Sequence, residues 1–246
     1  MARRSGSALV RALVVLALCA AVGGVVAQRV REKPRGVLCK LDHCVAAVDL
    51  RSGRFRVAPA LAHIAREESF AAQMQRLKPY AAITGTFYGP DLRPQGDILA
   101  DGKLINRGFE RQAIGFRKDG RICFLERHGS ERLRWTGCYA GVACGPRLVR
   151  DGRIDINVRR DGFGPRALTI QATRCAVGAT ADGKLLMLAI RERVTLRTLA
   201  QAMVELGAVD AVNMDGGALC AFYAAGKCGA EPDLPINNVI AVYKVK

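Results

Sequence analysis

The sequence predicts a strand-rich α+β single domain, with antiparallel hairpins building the sheet and two main helices packed on it. Three observations carry this expectation. Asp-Gly followed by a basic residue recurs at Asp101-Gly102-Lys103, Asp119-Gly120-Arg121, Asp151-Gly152-Arg153 and Asp182-Gly183-Lys184, each time between strand-like apolar runs. Asp-Gly suits the two-residue type I′ turn, whose twist matches that of the flanking strands, so each copy predicts a hairpin and each aspartate a turn residue. Two stretches show the apolar spacing of one buried helical face. Finally, the 246 residues are half hydrophobic and contain no linker or low-complexity tract, so one core is the simplest organisation. The turns are unevenly spaced and no longer unit recurs around them, which excludes a solenoid.

Residues 1–27 read as an export segment. Arg3, Arg4 and Arg11 precede an apolar run from Ala12 to Ala27, with Val25 and Ala27 at the small-residue positions of a cleavage site. The run falls short of the roughly 20 residues that a spanning helix needs, which favours a cleaved signal. Arg29, Arg31, Lys33 and Arg35 just beyond it leave an uncleaved anchor, and with it membrane contact, open. The folded domain is placed at 36–246. Its first element, from Gly36 to about Leu61, reads as a hairpin around Arg51, Ser52 and Gly53. A helix follows near Glu67 to Leu77, with Phe70, Met74 and Leu77 on one face and Pro79 ending it. The segment AAITGTFYG then gives a buried strand, Ala81 to Ile83, that breaks at Gly85. Beyond the four hairpins, Thr195 caps a second helix whose face holds Leu196, Leu199, Ala200, Met203, Val204 and Leu206 and which stops at Gly207. A short strand from Ala208 to Met214 delivers Asn213 and Asp215 to its end, beside Gly216 and Gly217. The last strand runs from Asn238 to Lys244.

Charge and cysteines narrow the function classes. The net charge of +16 suits an anionic partner. Its basic residues are nevertheless spread in ones and twos, with one Trp and no aromatic stripe for bases to stack on, so nucleic acid is not the expected partner. Arginine pairs bidentately with phosphate or carboxylate, which fits an anionic substrate. Eight of the nine cysteines lie in the part that folds, an even set that suggests disulfides in an oxidising periplasmic or extracellular space. The one local pairing we expect is Cys220 with Cys228, across a hairpin turning at Ala225 and Gly226. No C-x-x-C occurs, and His43, His63 and His128 keep no ligand spacing with the cysteines, so no metal site is read. The sequence names no cofactor.

Taken alone, Asp215 before two glycines is either a strand-end turn or an acid left unshielded at the rim of a cleft. Three separated segments set it in context: AAITGTFYG, VACGPRLVRDG, and the run from Thr173 to Gly217. In order and spacing they resemble the phosphodiester glycosidase family, over roughly Val45 to Val245. Thr84, Gly85, Thr86, Phe87 and Tyr88 stand where the family has Asn-Gly-Gly or Asn-Gly-Thr and aromatics. Cys144, Gly145 and Pro146 stand for Gly-Gly-Pro, Arg174 to Gly178 for Arg-Thr-Ala-Ile-Gly, and Asn213 to Gly217 for Asn-Leu-Asp-Gly-Gly. The family's following Gly-Ser-Ser is Ala218, Leu219, Cys220 here.

The resemblance implies an exported hydrolase that cleaves a sugar from a sugar-1-phosphodiester in a phosphorylated glycan or envelope polysaccharide. On that reading Asp215 is the acid-base or electrostatic carboxylate and Arg174 the phosphate clamp. Asn213 and Thr84 or Thr86 would bond sugar hydroxyls, Phe87 or Tyr88 would wall the pocket, and Gly85, Gly145, Gly216 and Gly217 would let substrate approach the backbone. A second acid is not identified from sequence. The alternative is a binding module of the same fold that holds an anionic glycan without turnover, motivated by Thr84, by the missing serines and by the basic charge.

Overall fold

The computed structural model describes residues 37–39, 42–62 and 68–245. The export segment expected over residues 1–27 and His63 lie outside these residues. Strands dominate, as the turn chemistry predicts, and all of their pairings are antiparallel. The first sheet holds seven strands: β1 (Val37–Cys39), β2 (His43–Val48), β13 (Leu185–Val194), β12 (Ala172–Thr180), β14 (Ala208–Met214), β10 (Arg147–Arg150) and β11 (Arg153–Ile154), in that spatial order. A second sheet of five runs β16 (Lys227–Ala230), β15 (Phe222–Ala224), β4 (Ala81–Thr84), β17 (Asn238–Lys244), β3 (Phe55–Leu61). The third, also of five, runs β6 (Lys103–Asn106), β5 (Ile98–Ala100), β9 (Ala140–Cys144), β7 (Gln112–Phe116), β8 (Ile122–Glu126).

Period-2 alternation decides which residue enters which core. Cys175 and Val177 of β12, Val212 and Met214 of β14, Ile83 of β4, Ile240 and Val242 of β17 and Ile114 and Phe116 of β7 meet in one central cluster drawn from all three sheets. The intervening Ala176 and Ala211 face the other way, onto the helix α2 (Leu196–Glu205). That helix begins where Thr195 predicts, its hydroxyl accepting the Thr198 N–H, and it buries Leu196, Leu199, Ala200 and Met203. Each fully buried leucine contributes about 1.5–3 kcal/mol of apolar transfer, so this face holds the helix against the seven-stranded sheet. The first helix, α1 (Phe70–Leu77), is capped by Ser69 and places Phe70 and Met74 on the outer side of the second sheet, against Ala82, Val239 and Ala241.

Three local expectations are corrected. Residues 36–61 do not form one hairpin: β2 pairs with β1 and β13 in the first sheet, whereas β3 pairs with β17 in the second. The connection is a 3₁₀ turn, Leu50–Ser52, capped by the Asp49 side chain and left through Gly53 at φ +70°, which redirects the chain between sheets instead of folding it back. All four Asp-Gly copies do turn hairpins, but only Asp101-Gly102 and Asp151-Gly152 have both residues left-handed, as type I′ requires. At the other two the glycine alone is left-handed. The strands close there around a longer loop, bonded from Arg117 N–H to Arg121 O and from Thr180 N–H to Lys184 O. Finally, Cys228 pairs in register with Tyr223, across the hairpin that turns at Ala225 and Gly226. Cys220 lies before that hairpin, with its sulfur 3.4 Å from that of Cys175 on β12. The expected Cys220–Cys228 pair is therefore not formed.

Candidate active site

Three chain segments converge where β4, β9 and β14 end, and they are the three that sequence singles out. Asp215 N–H donates to the Gly85 carbonyl at 3.0 Å, and Gly85 N–H donates to the Asn238 carbonyl at the same distance. The Asn238 side chain brackets Thr86, its Oδ1 accepting the Thr86 N–H at 2.8 Å and its Nδ2 donating to the Thr86 carbonyl at 2.9 Å. Gly85 is required by this crossing, because a Cβ there would lie 2.0 Å from Asn238 Oδ1. From the third segment, Asn213 donates through Nδ2 to the Gly145 carbonyl at 2.8 Å and through its N–H to the Pro146 carbonyl at 3.0 Å. Backbone from three distant parts of the chain is thus fixed by buried amides.

Two polar atoms of this cluster are left over. Thr86 Oγ1 and Asn213 Oδ1 are buried and make no hydrogen bond to the protein. Buried polar atoms are satisfied in all but a few cases, so these two stand out as groups whose partner the protein itself does not supply. Thr84 is different. Its hydroxyl donates to the Leu219 carbonyl at 2.6 Å and accepts the Ala221 N–H at 2.9 Å, which ties β4 to the segment after Gly217 and spends its one donor on the backbone.

The acids set the electrostatics. Asp215 is only 7% exposed, and burial lifts its pKa to about 7 against the pull of the Gly216 N–H, which bonds Oδ1 at 2.8 Å. A second carboxyl, Glu110, enters from the segment between β6 and β7 and is 6% exposed. Burial raises it to about 7 as well; Asp161 and Asp215 add to the rise, while Arg127 and Arg111 oppose it. The two acids lie within electrostatic reach of each other and of Cys144 at the end of β9. Glu110 Oε2 lies 3.6 Å from where a Gly145 Cβ would stand, with the Phe163 ring 2.9 Å from the same point. The Cys144 thiol, raised by burial, is raised further by both carboxylates. Phe87 packs edge-on against Phe163, ring centres 5.9 Å apart, and the Tyr88 hydroxyl bonds the Pro235 carbonyl, giving the cluster an aromatic side.

Arg174 is a neighbour of Asp215 along the backbone only. β12 and β14 pair Cys175 with Met214, so Arg174 comes next to Asp215 beyond the ladder, and its Cα would stand 3.4 Å from a Cβ on Gly216. The guanidinium turns away and donates to the carbonyls of Val194 and Ile170, at 3.3 and 2.7 Å. Burial lowers its pKa, and no carboxylate contributes to that shift. Gly216 lets β14 run close to β12, a Cβ there falling 2.7 Å from the Thr173 carbonyl, and Gly217 turns the chain at φ +62°.

This site lies within the span where comparison with known proteins is decisive. The family described as phosphodiester glycosidase matches residues 78–243. The chain belongs to that family. Its mouse relative, N-acetylglucosamine-1-phosphodiester alpha-N-acetylglucosaminidase, is 24% identical over 154 residues, which is 56% of this chain but only 30% of the relative. Among solved structures, the zebrafish N-acetylglucosamine-1-phosphodiester alpha-N-acetylglucosaminidase catalytic domain, auto-inhibited by its pro-peptide, superposes with a TM-score of 0.67 at 20% identity, covering 85% of this chain and 82% of that one. A hypothetical protein from Synechocystis superposes at 0.70 with 15% identity, over 86% of this chain and 61% of that one. The phosphodiester glycosidase fold thus extends across most of the described chain.

Sequence singles out Asp215, Asn213, Thr86, Phe87, Gly85 and Gly145, and the fold assembles all six in one cluster. It does not single out Glu110, Asn238 or Phe163. Glu110 sits in RGFERQ between two strands and carries no local pattern. Asn238 does mark the start of the last strand, where an amide is an unusual choice for a central position.

Proposed function

We propose that this chain is a hydrolase that cleaves the glycosidic bond of a sugar-1-phosphodiester in a phosphorylated glycan or envelope polysaccharide, with Asp215 and Glu110 as its working carboxyls. The observation that carries this reading is a set of two buried acids, Asp215 after β14 and Glu110 against Gly145 at the end of β9, in electrostatic reach of each other and both raised to about 7, in the cluster that holds the unpartnered Thr86 Oγ1 and Asn213 Oδ1. Acids held near neutrality by their surroundings are suited to exchanging protons during turnover. In the reaction the bond between the anomeric carbon and the phosphate oxygen breaks, and its electron pair stays with the departing phosphate monoester. A water oxygen forms the new bond to that carbon, and its proton passes to whichever carboxyl is ionised. A phosphate leaves without strong protonation, so the ionised carboxyl's main work is to stabilise the oxocarbenium-like centre and activate water, while the protonated partner donates a hydrogen bond. Asn213 and Thr86 hold the sugar; Arg174 and Thr84, whose polar groups are spent on backbone, position the strands that carry Asp215.

The export-type reading of residues 1–27 motivates a periplasmic or extracellular setting, in which the close cysteine pairs oxidise. Turnover of a synthetic sugar-1-phosphodiester tests the reading. Wild type is expected to release the sugar, and Asp215→Asn and Glu110→Gln each to lower kcat at least 100-fold. Unchanged kcat in Asp215→Asn would remove the assignment. No turnover by wild type, with retained binding of the anionic glycan, would establish the non-catalytic binding module instead.

A further inference from the structure

A cavity of about 430 Å³ contains Glu110 in its wall. Arg107, Arg127 and Arg132 also line it, with Asp97 and the ring of Trp135. Three other arginines are paired with carboxylates: Arg147 with Asp210, Arg150 with Glu126 and Asp155, and Arg160 with Asp155 and Asp161. None of the three cavity arginines forms an ion pair among the described residues. Arg127 Nε is, in addition, buried without a hydrogen-bond partner. Nor does Asp97 balance them by contact, since its oxygens accept the Gly108 N–H at 2.8 Å and the Trp135 indole N–H at 3.0 Å. Three guanidiniums with no carboxylate partner among the described residues, gathered around one hollow, form a site for an anion with several equivalent oxygens.

We propose that this cavity is the phosphate subsite of the enzyme, holding the phosphoryl group and the start of whatever it esterifies while Glu110 stands between it and the sugar. The assignment rests on the glycosidase reading for its substrate. It replaces Arg174, whose guanidinium is engaged with carbonyls, as the phosphate-holding group. It also accounts for Glu110: a carboxyl that must stay partly protonated beside an anionic group is set against the positive charge that the anion itself requires.

Trp135 is the chain's only tryptophan and lines the cavity, so its emission reports occupancy. The probes are inorganic phosphate and glycerol 3-phosphate, titrated at constant ionic strength and pH 8. A saturable change in wild type is expected, with affinity lowered at least tenfold in Arg127→Gln and in the more exposed Arg107→Gln. Asp215→Asn should bind within twofold of wild type, and Glu110→Gln several-fold more tightly through loss of the negative charge. The same arginine variants should raise KM for the sugar phosphodiester at least tenfold. No saturable change in wild type, or equal affinity in the Arg107→Gln/Arg127→Gln double variant, would overturn the subsite. Normal turnover with unchanged KM in the double variant would overturn it too, while leaving the glycosidase reading intact. Phosphate binding lost in the double variant, in a protein that turns over no sugar phosphodiester, would keep the subsite and sink the glycosidase reading.

Discussion

At the scale of single residues, the site works by desolvation. Glu110 and Asp215 are less than a tenth exposed and form no ion pair with an arginine among the described residues, so burial outweighs the pull of Arg127 and Arg111 on Glu110 and each acid holds its proton to about pH 7, well above a free carboxyl. The sign of the resulting stability change follows from proton counting. Between about pH 4.5 and 7 the folded protein binds the Glu110 proton more tightly than the unfolded chain does. This contribution is therefore complete below pH 4.5 and lost as pH rises through 7. Glu110→Gln removes the loss, and its Tm should exceed that of wild type by a margin that grows from pH 4.5 to pH 8. The margin should reach roughly 2–3 kcal/mol in free energy, measured by calorimetry across that range. A constant margin would show that the carboxyl is not held protonated in the fold.

At the scale of elements, the strands that carry the site are tied together by polar and sulfur contacts between sheets. Thr84 links β4 to the chain after Gly217, and Cys220 in that same stretch meets Cys175 of β12 at 3.4 Å. Cys123 and Cys138 lie 3.2 Å apart, and the Cys123 thiol is lowered to about 6 by Cys138 and then by Arg117. Cys39 and Cys44 face each other across β1 and β2, both sulfurs within 2.8 Å of where a Gly229 Cβ would stand. Peptide mapping of protein secreted into an oxidising compartment is expected to find Cys175–Cys220, Cys123–Cys138 and Cys39–Cys44 linked, with Cys144 and Cys228 as thiols. The Cys175→Ser/Cys220→Ser variant should lose about 2–4 kcal/mol of stability, read by denaturant unfolding under non-reducing conditions. A Cys220–Cys228 peptide would contradict the contact seen across β12.

At the scale of the whole molecule, the net charge of +16 on 246 residues favours encounter with the anionic phosphodiester proposed as substrate. The value of kcat/KM for a charged phosphodiester should fall several-fold between 50 and 500 mM salt, through KM more than kcat. Steady-state kinetics at fixed pH measure this, and salt-independent KM would show that the charge serves no substrate encounter.

The hairpins, the two helices with their caps, and Asp215 at a strand end were legible in the chain, because each rests on residues a few positions apart whose backbone preferences and periodicity are local. The first motif's placement beside Asp215 was legible only through ordered resemblance. What the sequence could not supply were relations between distant strands: that β2 and β3 part into different sheets at a 3₁₀ turn, that Cys220 meets Cys175, and that the Arg174 guanidinium bonds carbonyls. Glu110, Asn238 and the three arginines belong to the same group. Their roles come from burial and from which neighbours are within reach, quantities that exist only once three sheets have closed on one core. Local propensity therefore determined the elements, and desolvation at their meeting point decided the site.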